Sequence, residues 1–280
     1  MCERMAFTLT ETHIDDTRFV QVPSITEAME VCRDRVDGRP MTTAVLLDVL
    51  GAFARHGDVE AGLLTESLAY STLQAGPEFH EWLADRKPAR RHEQDDSVRL
   101  VRDGGRLDIT FDRPDRHNAF SDSLRAGLLE GLVVAAADPS VTGVMLRGNG
   151  PSFCSGGDLG EFGLSADPAS AHLARTLHSP ARLLEELRSR SSTSLGADVH
   201  GAVMGSGLEM ASFCDTVTAH PDSVFGLPEL NLGLIPGAGG TVSVTRRIGR
   251  WRTAYLVVSG ARIDSPTALR WGLIDAIAAR

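Results

Sequence analysis

Three glycine-rich loops restrict this chain more tightly than any other feature: Phe153-Cys-Ser-Gly-Gly-Asp158, His200-Gly-Ala-Val-Met-Gly-Ser-Gly-Leu-Glu209 and Pro236-Gly-Ala-Gly-Gly-Thr241. A loop without Cβ atoms lets backbone approach backbone, and at a helix N-terminus it can aim unpaired N–H groups outward. Around these loops, apolar runs alternate with helical spacing. Val98 and Leu100, then Leu107, Ile109 and Phe111, alternate about Gly104-Gly105 and predict a hairpin. Ser121 predicts a cap for a helix running to about Ala137. Residues 142–146 predict a strand, 168–188 a helix, and Ser194–Val199 and Thr216–Ala219 short strands flanking a further helix opened by glycine. Such alternation predicts an α/β domain over residues 97–280.

The sequence ahead of that domain differs in kind. Val45, Leu46, Val49, Leu50 and Phe53 recur at three and four residues, and Leu63, Leu64, Leu68 and Leu73 continue after Gly57-Asp58, so residues 43–83 predict two or three amphipathic helices. A charged run, Asp85-Arg-Lys-Pro-Ala-Arg-Arg-His-Glu-Gln-Asp-Asp96, reads as a connector, making residues 1–96 an N-terminal helical region and linker. No ionisable cluster marks this region as catalytic, and packing explains its pattern.

Composition narrows the function classes. With 37 acidic against 28 basic residues and a net charge of −9, no general attraction to nucleic acid or an anionic membrane is expected. Cys2, Cys32, Cys154 and Cys214 are irregularly spaced, without C-x-x-C or a histidine at ligand spacing, which predicts ordinary thiols in a reducing compartment rather than disulfides or a zinc site. Acidic opening residues and the lack of any apolar run near about 18 residues predict a soluble cytoplasmic protein.

The loops also exclude familiar chemistries. Met210 occupies the third glycine position of G-x-G-x-x-G in the second loop, which argues against a dinucleotide fold, and the third loop lacks the Gly-Lys-Ser/Thr of a P-loop. Ser155 and Ser206 miss G-x-S-x-G because Phe153 and Met204 stand at its first position. No H-E-x-x-H occurs, so no metal is expected. Glycine loops at helix N-termini can instead stabilise developing negative charge, each well-aimed donor being worth roughly 2.7–4 kcal/mol. Any one such loop can equally be a tight turn.

Taken in order, Arg113-Pro-Asp-Arg-His-Asn-Ala-Phe120, Phe153-Cys-Ser-Gly-Gly-Asp-Leu159, Gly201-Ala-Val-Met-Gly-Ser-Gly-Leu-Glu209, Cys214-Asp215 and Phe225-Gly-Leu-Pro-Glu-Leu-Asn-Leu-Gly-Leu-Ile-Pro-Gly-Ala-Gly-Gly240 resemble the crotonase (enoyl-CoA hydratase/isomerase) superfamily, from about residue 98 to residue 279. The resemblance implies a spiral of ββα units that assembles as a homotrimer or a dimer of trimers. It implies an acyl-CoA thioester substrate, with coenzyme A present only as part of it and no separate cofactor. The thioester carbonyl would be held by the backbone N–H groups of Gly157 and Ser206. Glu209 would orient and activate a water and Glu229 would exchange the proton at C2, so that water adds across the C2–C3 double bond. Buried carboxyl pairs suit such work because their pKa values can be pushed apart. Substrate contacts are implied at Arg116, His117, Ser155, Gly156, Asp158, Gly205, Pro236 and Gly237, with Asp158 ordering its loop. Structural alternatives stand beside these roles: a carboxylate such as Glu209 is favourable at a helix N-terminus without chemistry, and Glu229 after Pro228 can open a turn.

Departures from the family pattern matter. Ser206 stands where glycine is frequent and narrows the acyl space, and Ser243 and Thr245 replace a common Arg and Pro. After Gly272-Leu-Ile-Asp275, which predicts a strand, relatives continue with helices that cover the CoA site. The run Glu66-Ser-Leu-Ala-Tyr-Ser-Thr-Leu-Gln-Ala-Gly-Pro-Glu-Phe-His-Glu-Trp-Leu-Ala-Asp-Arg-Lys-Pro88 resembles the acid-led helix and closing signature of those helices, so a permutation-like arrangement is expected. Residues 161–174 are expected to form a loop in the pocket wall. Competing expectations are an isomerase using the second glutamate alone, another crotonase reaction, or a non-catalytic acyl-CoA-binding or assembly subunit.

Overall fold

The computed structural model describes residues 5–86, 97–164, 167–190 and 192–279. The chain begins with a parallel strand pair, β1 (Thr8–Thr10) and β2 (Phe19–Gln21), and four helices, α1 (Ile25–Gly38), α2 (Pro40–His56), α3 (Val59–Gln74) and α4 (Pro77–Ala84). Local chemistry sets the boundaries. Pro40 and Pro77 sit in the first turns of their helices, where the missing N–H costs nothing, and Gly57, at φ 67°, ends α2. The Asp58 side chain accepts from Ala61 N to begin α3. Helices α2–α4 match the pattern read over residues 43–83. The β1–β2 pair and α1 escape that pattern, α1 because Cys32 is its one buried side chain. Residues 87–96 of the expected connector lie outside the described residues.

Beyond it, β3 (Val98–Asp103) and β4 (Arg106–Phe111) form the expected hairpin, with Val98 opposite Phe111, and Ser121 caps α5 (Asp122–Ala137). Next come β5 (Gly143–Gly148), α6 (Pro168–Leu177), α7 (Pro180–Ser189), β6 (Ser194–Val199), β7 (Ala202–Met204), α8 (Ser206–Ala211), β8 (Thr216–Ala219), β9 (Val224–Gly226), α9 (Gly240–Ser259), β10 (Ile263–Asp264), α10 (Ser265–Trp271) and β11 (Ala276–Ile277). One sheet runs β11-β8-β6-β5-β4-β3 and a smaller one β10-β9-β7, which Cys154 extends by bridging to Val203. Successive turns lay one strand in the large sheet, one in the small sheet, and then a helix. This is the ββα spiral of the crotonase fold.

Three expectations need correction. The single helix read over residues 168–188 is two helices, because Ser179 leaves the helix to cap α7 and Pro180 supplies no N–H to continue α6. The strand read at residues 272–275 starts later, at Ala276, because Gly272 at φ 77° ends α10 first. The wall segment 161–174 is likewise not all loop, since α6 begins at Pro168.

The N-terminal helices share the core of the spiral. Leu46, Val49, Leu50 and Phe53 of α2 belong to one buried cluster with Val242, Leu256 and Val257 of α9. Each fully buried side chain of this type contributes roughly 1.5–3 kcal/mol. Gly62 lets α3 approach α9, since a Cβ there would lie 2.7 Å from Val242 Cγ2 and 2.8 Å from Phe53 Cδ2. Arg35 of α1 donates through Nε to Val258 O (2.6 Å) at the C-terminal end of α9 and through Nη1 to Asn231 Oδ1 (2.6 Å). As a result α3 runs between α9 and α6, and α4 meets the 3-10 turn Glu229–Leu232.

Candidate active site

The three loops converge on one cavity of about 450 Å³. The first loop is tied on both sides: Cys154 N donates to Ala202 O (3.1 Å), while Phe120 N donates to Gly156 O (2.8 Å) and Asp158 N to Phe120 O (2.9 Å). Gly156 has φ +97°, a conformation that side chains resist. The second loop turns through Gly205 at φ +47° into α8, whose Gly207 packs so closely on Cys154 that a Cβ would fall 2.5 Å from Cys154 Cβ. The two loops are therefore neighbours, and a Cβ at Gly157 would lie 4.0 Å from Ser206 Oγ. Gly157 and Ser206 both line the cavity, and among the described residues neither backbone N–H has a hydrogen-bond partner.

Glu209 lies on α8 and is 1% exposed. Its Oε2 accepts from Ala238 N (2.7 Å) and Gly240 N (2.8 Å) of the third loop. Burial pushes this carboxyl well above the ordinary range, and the nearby Glu229 and Glu66 push further, against the two amides. Glu229 opens the 3-10 turn that Pro228 caps, and its Oε2 is buried with no partner among the described residues. Burial, with Glu66 adding to it, raises Glu229 to about 8. A Cβ on Gly205 would fall 2.6 Å from Glu229 Oε1, so a larger residue there would displace this carboxylate.

Ser155, Gly156, Asp158 and Gly237 also line the cavity, whereas Arg116, His117, Gly205 and Pro236 do not. His117 instead bonds Ser152 Oγ through Nδ1 at 2.9 Å, and Arg116 reaches Asp158 at 3.5 Å. Burial alone would raise Asp158, but the Gly160 amide and the Arg113 guanidinium outweigh it and hold the carboxylate below its usual range. Arg113, 1% exposed, donates to Asp158 Oδ2 (3.0 Å).

Many lining residues fall outside the sequence-derived set, and three of them bear on the site's chemistry. Glu66 and Tyr70 reach the cavity from α3, and Arg175 from α6. The region read as packing alone therefore supplies part of the wall. The Tyr70 ring lies against Gly237, where a Cβ would fall 2.4 Å from it, and Arg175 Cζ sits 4.5 Å from the ring centroid. Arg175 donates to Gln74 Oε1 (3.1 Å) and to Ser67 Oγ (3.3 Å), and among the described residues it has no carboxylate ion-pair partner. The signal for Glu66 and Tyr70 is their position within the acid-led helix at residue 66, which marks a closing helix without marking which of its side chains face the site.

Residues 102–280 match the family model described as enoyl-CoA hydratase/isomerase. A 2,3-dehydroadipyl-CoA hydratase of Escherichia coli (strain K12) is 35% identical over 167 residues, which is 60% of this chain and 63% of that protein. An enoyl-CoA isomerase/hydratase of Mycosarcoma maydis is 35% identical over 195 residues, 66% of this chain and 69% of the relative. Among solved structures, the enoyl-CoA hydratase from Thermoplasma volcanium GSS1 superposes with a TM-score of 0.58 at 31% identity, covering 65% of this chain and 71% of that one. The chain spans less than two thirds of the length of the first of these relatives. It belongs to the enoyl-CoA hydratase/isomerase family.

Proposed function

We propose that the protein hydrates a 2-enoyl-CoA thioester. The thioester carbonyl accepts from Gly157 N and Ser206 N, which draws electron density toward oxygen and leaves C3 open to attack. Glu209, anchored through Oε2 by two amides, directs a water at C3, and the bond formed there shifts electrons into an enolate-like thioester that the two N–H groups stabilise. Glu229 delivers a proton to C2. The water contributes its hydroxyl to C3, the π bond between C2 and C3 is consumed, and the two glutamates exchange the remaining proton, so the product is a 3-hydroxyacyl-CoA. The single observation that carries this reading is that two buried glutamates, Glu209 and Glu229, share one cavity with the Gly157 and Ser206 amides, which have no hydrogen-bond partner among the described residues. An isomerase needs only the second of those glutamates.

The test is turnover of a panel of 2-enoyl-CoA thioesters by the native protein and by Glu209→Gln and Glu229→Gln. The panel includes a dicarboxylic member, because Arg175 lines the cavity with no carboxylate ion-pair partner among the described residues and one relative bears the name of such a hydratase. Turnover that collapses in both variants with acyl-CoA binding retained is the expected result. Full activity in either variant removes that residue from the mechanism, and tight acyl-CoA binding without turnover favours a binding subunit.

We also infer that α1–α4 complete the site as the closing helices of relatives do, in a permuted order. What supports this is the packing of α2 and α3 on α9 and the entry of Glu66 and Tyr70 into the cavity wall.

A further inference from the structure

Four consecutive amides at the head of α9 are shared between two carboxylates. Ala238 N and Gly240 N donate to Glu209 Oε2 at 2.7 and 2.8 Å. Gly239 N donates to Glu66 Oε1 at 2.7 Å, and Thr241 N and Oγ1 donate to Glu66 Oε2 at 2.9 and 2.6 Å. The partners thus alternate along the backbone: Glu209, Glu66, Glu209, Glu66. Gly239, at φ +100°, allows the backbone to turn its successive N–H groups to opposite sides, and a Cβ there would meet Phe213 at 2.5 Å. The first amides of a helix have no intrahelical partner, so these carboxylates fill donors that the fold cannot satisfy otherwise. Neither glutamate can hold the segment alone, because each satisfies only alternate residues. Glu66 comes from α3, 2% exposed, one turn beyond the Gly62 that brings α3 against α9.

We propose that Glu66 is a positioning residue for Glu209: from the opposite side it clamps residues 238–241, the backbone on which the Glu209 carboxylate rests. This inference builds on the hydratase reading, since it assigns Glu209 a reacting role. Released from Glu66, the segment loses three hydrogen bonds and Glu209 loses its fixed support.

Charge accompanies geometry here. Facing Glu66 are Arg175 of α6, Tyr70 of its own helix, Glu209 of α8 and Glu229 of the 3-10 turn, besides the amides of α9. Burial holds Glu66 itself up to about 7, and once ionised it pushes Glu209 and Glu229 toward holding their protons. An uncharged glutamine in its place withdraws that push, and the acidic limb of the rate profile moves to lower pH.

The experiment compares native protein, Glu66→Gln, Thr241→Val, Glu209→Gln and the Glu66→Gln/Glu209→Gln double variant, with circular dichroism to check folding. Expected is a drop in kcat of roughly ten- to a hundredfold for Glu66→Gln with KM nearly unchanged, the cost of slight misplacement of a reacting group. Its acidic limb should move down, and the double variant should be no slower than Glu209→Gln alone. Thr241→Val keeps the carboxylate and removes one of its donors, so it should show a smaller loss in the same direction even if Glu66→Gln folds poorly. Native kcat and an unmoved pH profile in a folded Glu66→Gln, or losses that add in full in the double variant, overturn the proposal. If the native protein hydrates no thioester, the functional reading fails on its own, and a crystal structure of Glu66→Gln decides this one: residues 238–241 displaced, with the Glu209 Oε2 contacts to Ala238 N and Gly240 N lost, uphold it, and unchanged contacts refute it.

Discussion

Replacing Glu229 by glutamine should make the protein more resistant to unfolding as the medium turns alkaline, while it removes activity. An ordinary glutamate releases its proton near 4.5, whereas burial, with Glu66 nearby, holds Glu229 to about 8. Between those values the unfolded chain ionises this carboxyl and the folded chain does not, so rising pH draws the equilibrium toward unfolding. Stability is untouched below about 4.5, falls through the window, and falls no further above about 8. Each pH step within the window is worth about 1.4 kcal/mol, so moving from about pH 6 to about pH 9 crosses two such steps and costs the native protein roughly 3 kcal/mol. Glutamine does not titrate. The stability of Glu229→Gln relative to native should therefore grow by roughly 3 kcal/mol over that interval. The fixed cost of an amide in the place of the unpartnered Oε2 cancels in this comparison. Urea unfolding followed by tryptophan fluorescence at the two pH values measures it. Parallel pH dependence in the two proteins would refute the reasoning, because it would mean that Glu229 ionises as readily inside the fold as outside.

Two further outcomes follow from the packing. Arg113→Ala leaves Asp158 buried with only the more distant Arg116 as a cation, and breaking such a pair from one side should cost about 3–5 kcal/mol, seen as a lowered thermal midpoint; a loss under about 1 kcal/mol would mean that water takes the place of the guanidinium. Deleting residues 1–90 uncovers the apolar face of α9 and should abolish folding or assembly, whereas a soluble, trimeric, active fragment starting near residue 95 would count against the closing role of α1–α4.

The spiral and its loops were legible because glycine positions are dictated by backbone conformation and close approach, which leave a direct trace in the residue type. Gly205 and Gly156 have positive φ, and Gly207 packs on Cys154 without room for a Cβ. Glu209 and Glu229 were legible through the motifs around them. Glu66 was not, because its role depends on a helix meeting the amides of Gly239 and Thr241 far along the chain, and a helical pattern fixes which residues share a face but not which partner that face meets. The break at Ser179 illustrates the opposite error. Apolar spacing runs through residues 168–188 without a gap, and the proline in its midst outweighs the spacing.

Glu66 and the Thr241 amide it accepts from lie 175 residues apart. A ribosome adding about 5–20 residues per second needs roughly 9–35 s to travel between them. Throughout that interval Leu46, Leu50, Glu66 and Tyr70 are already made, and residues 237–259, which will meet them, are not. The nascent helices thus wait with their inward face open, a state in which a holdase chaperone would find them, and the cavity acquires its wall only when the last third of the polypeptide returns to the first. Folding order, and not chemistry alone, is set by where the clamp residue sits in the chain.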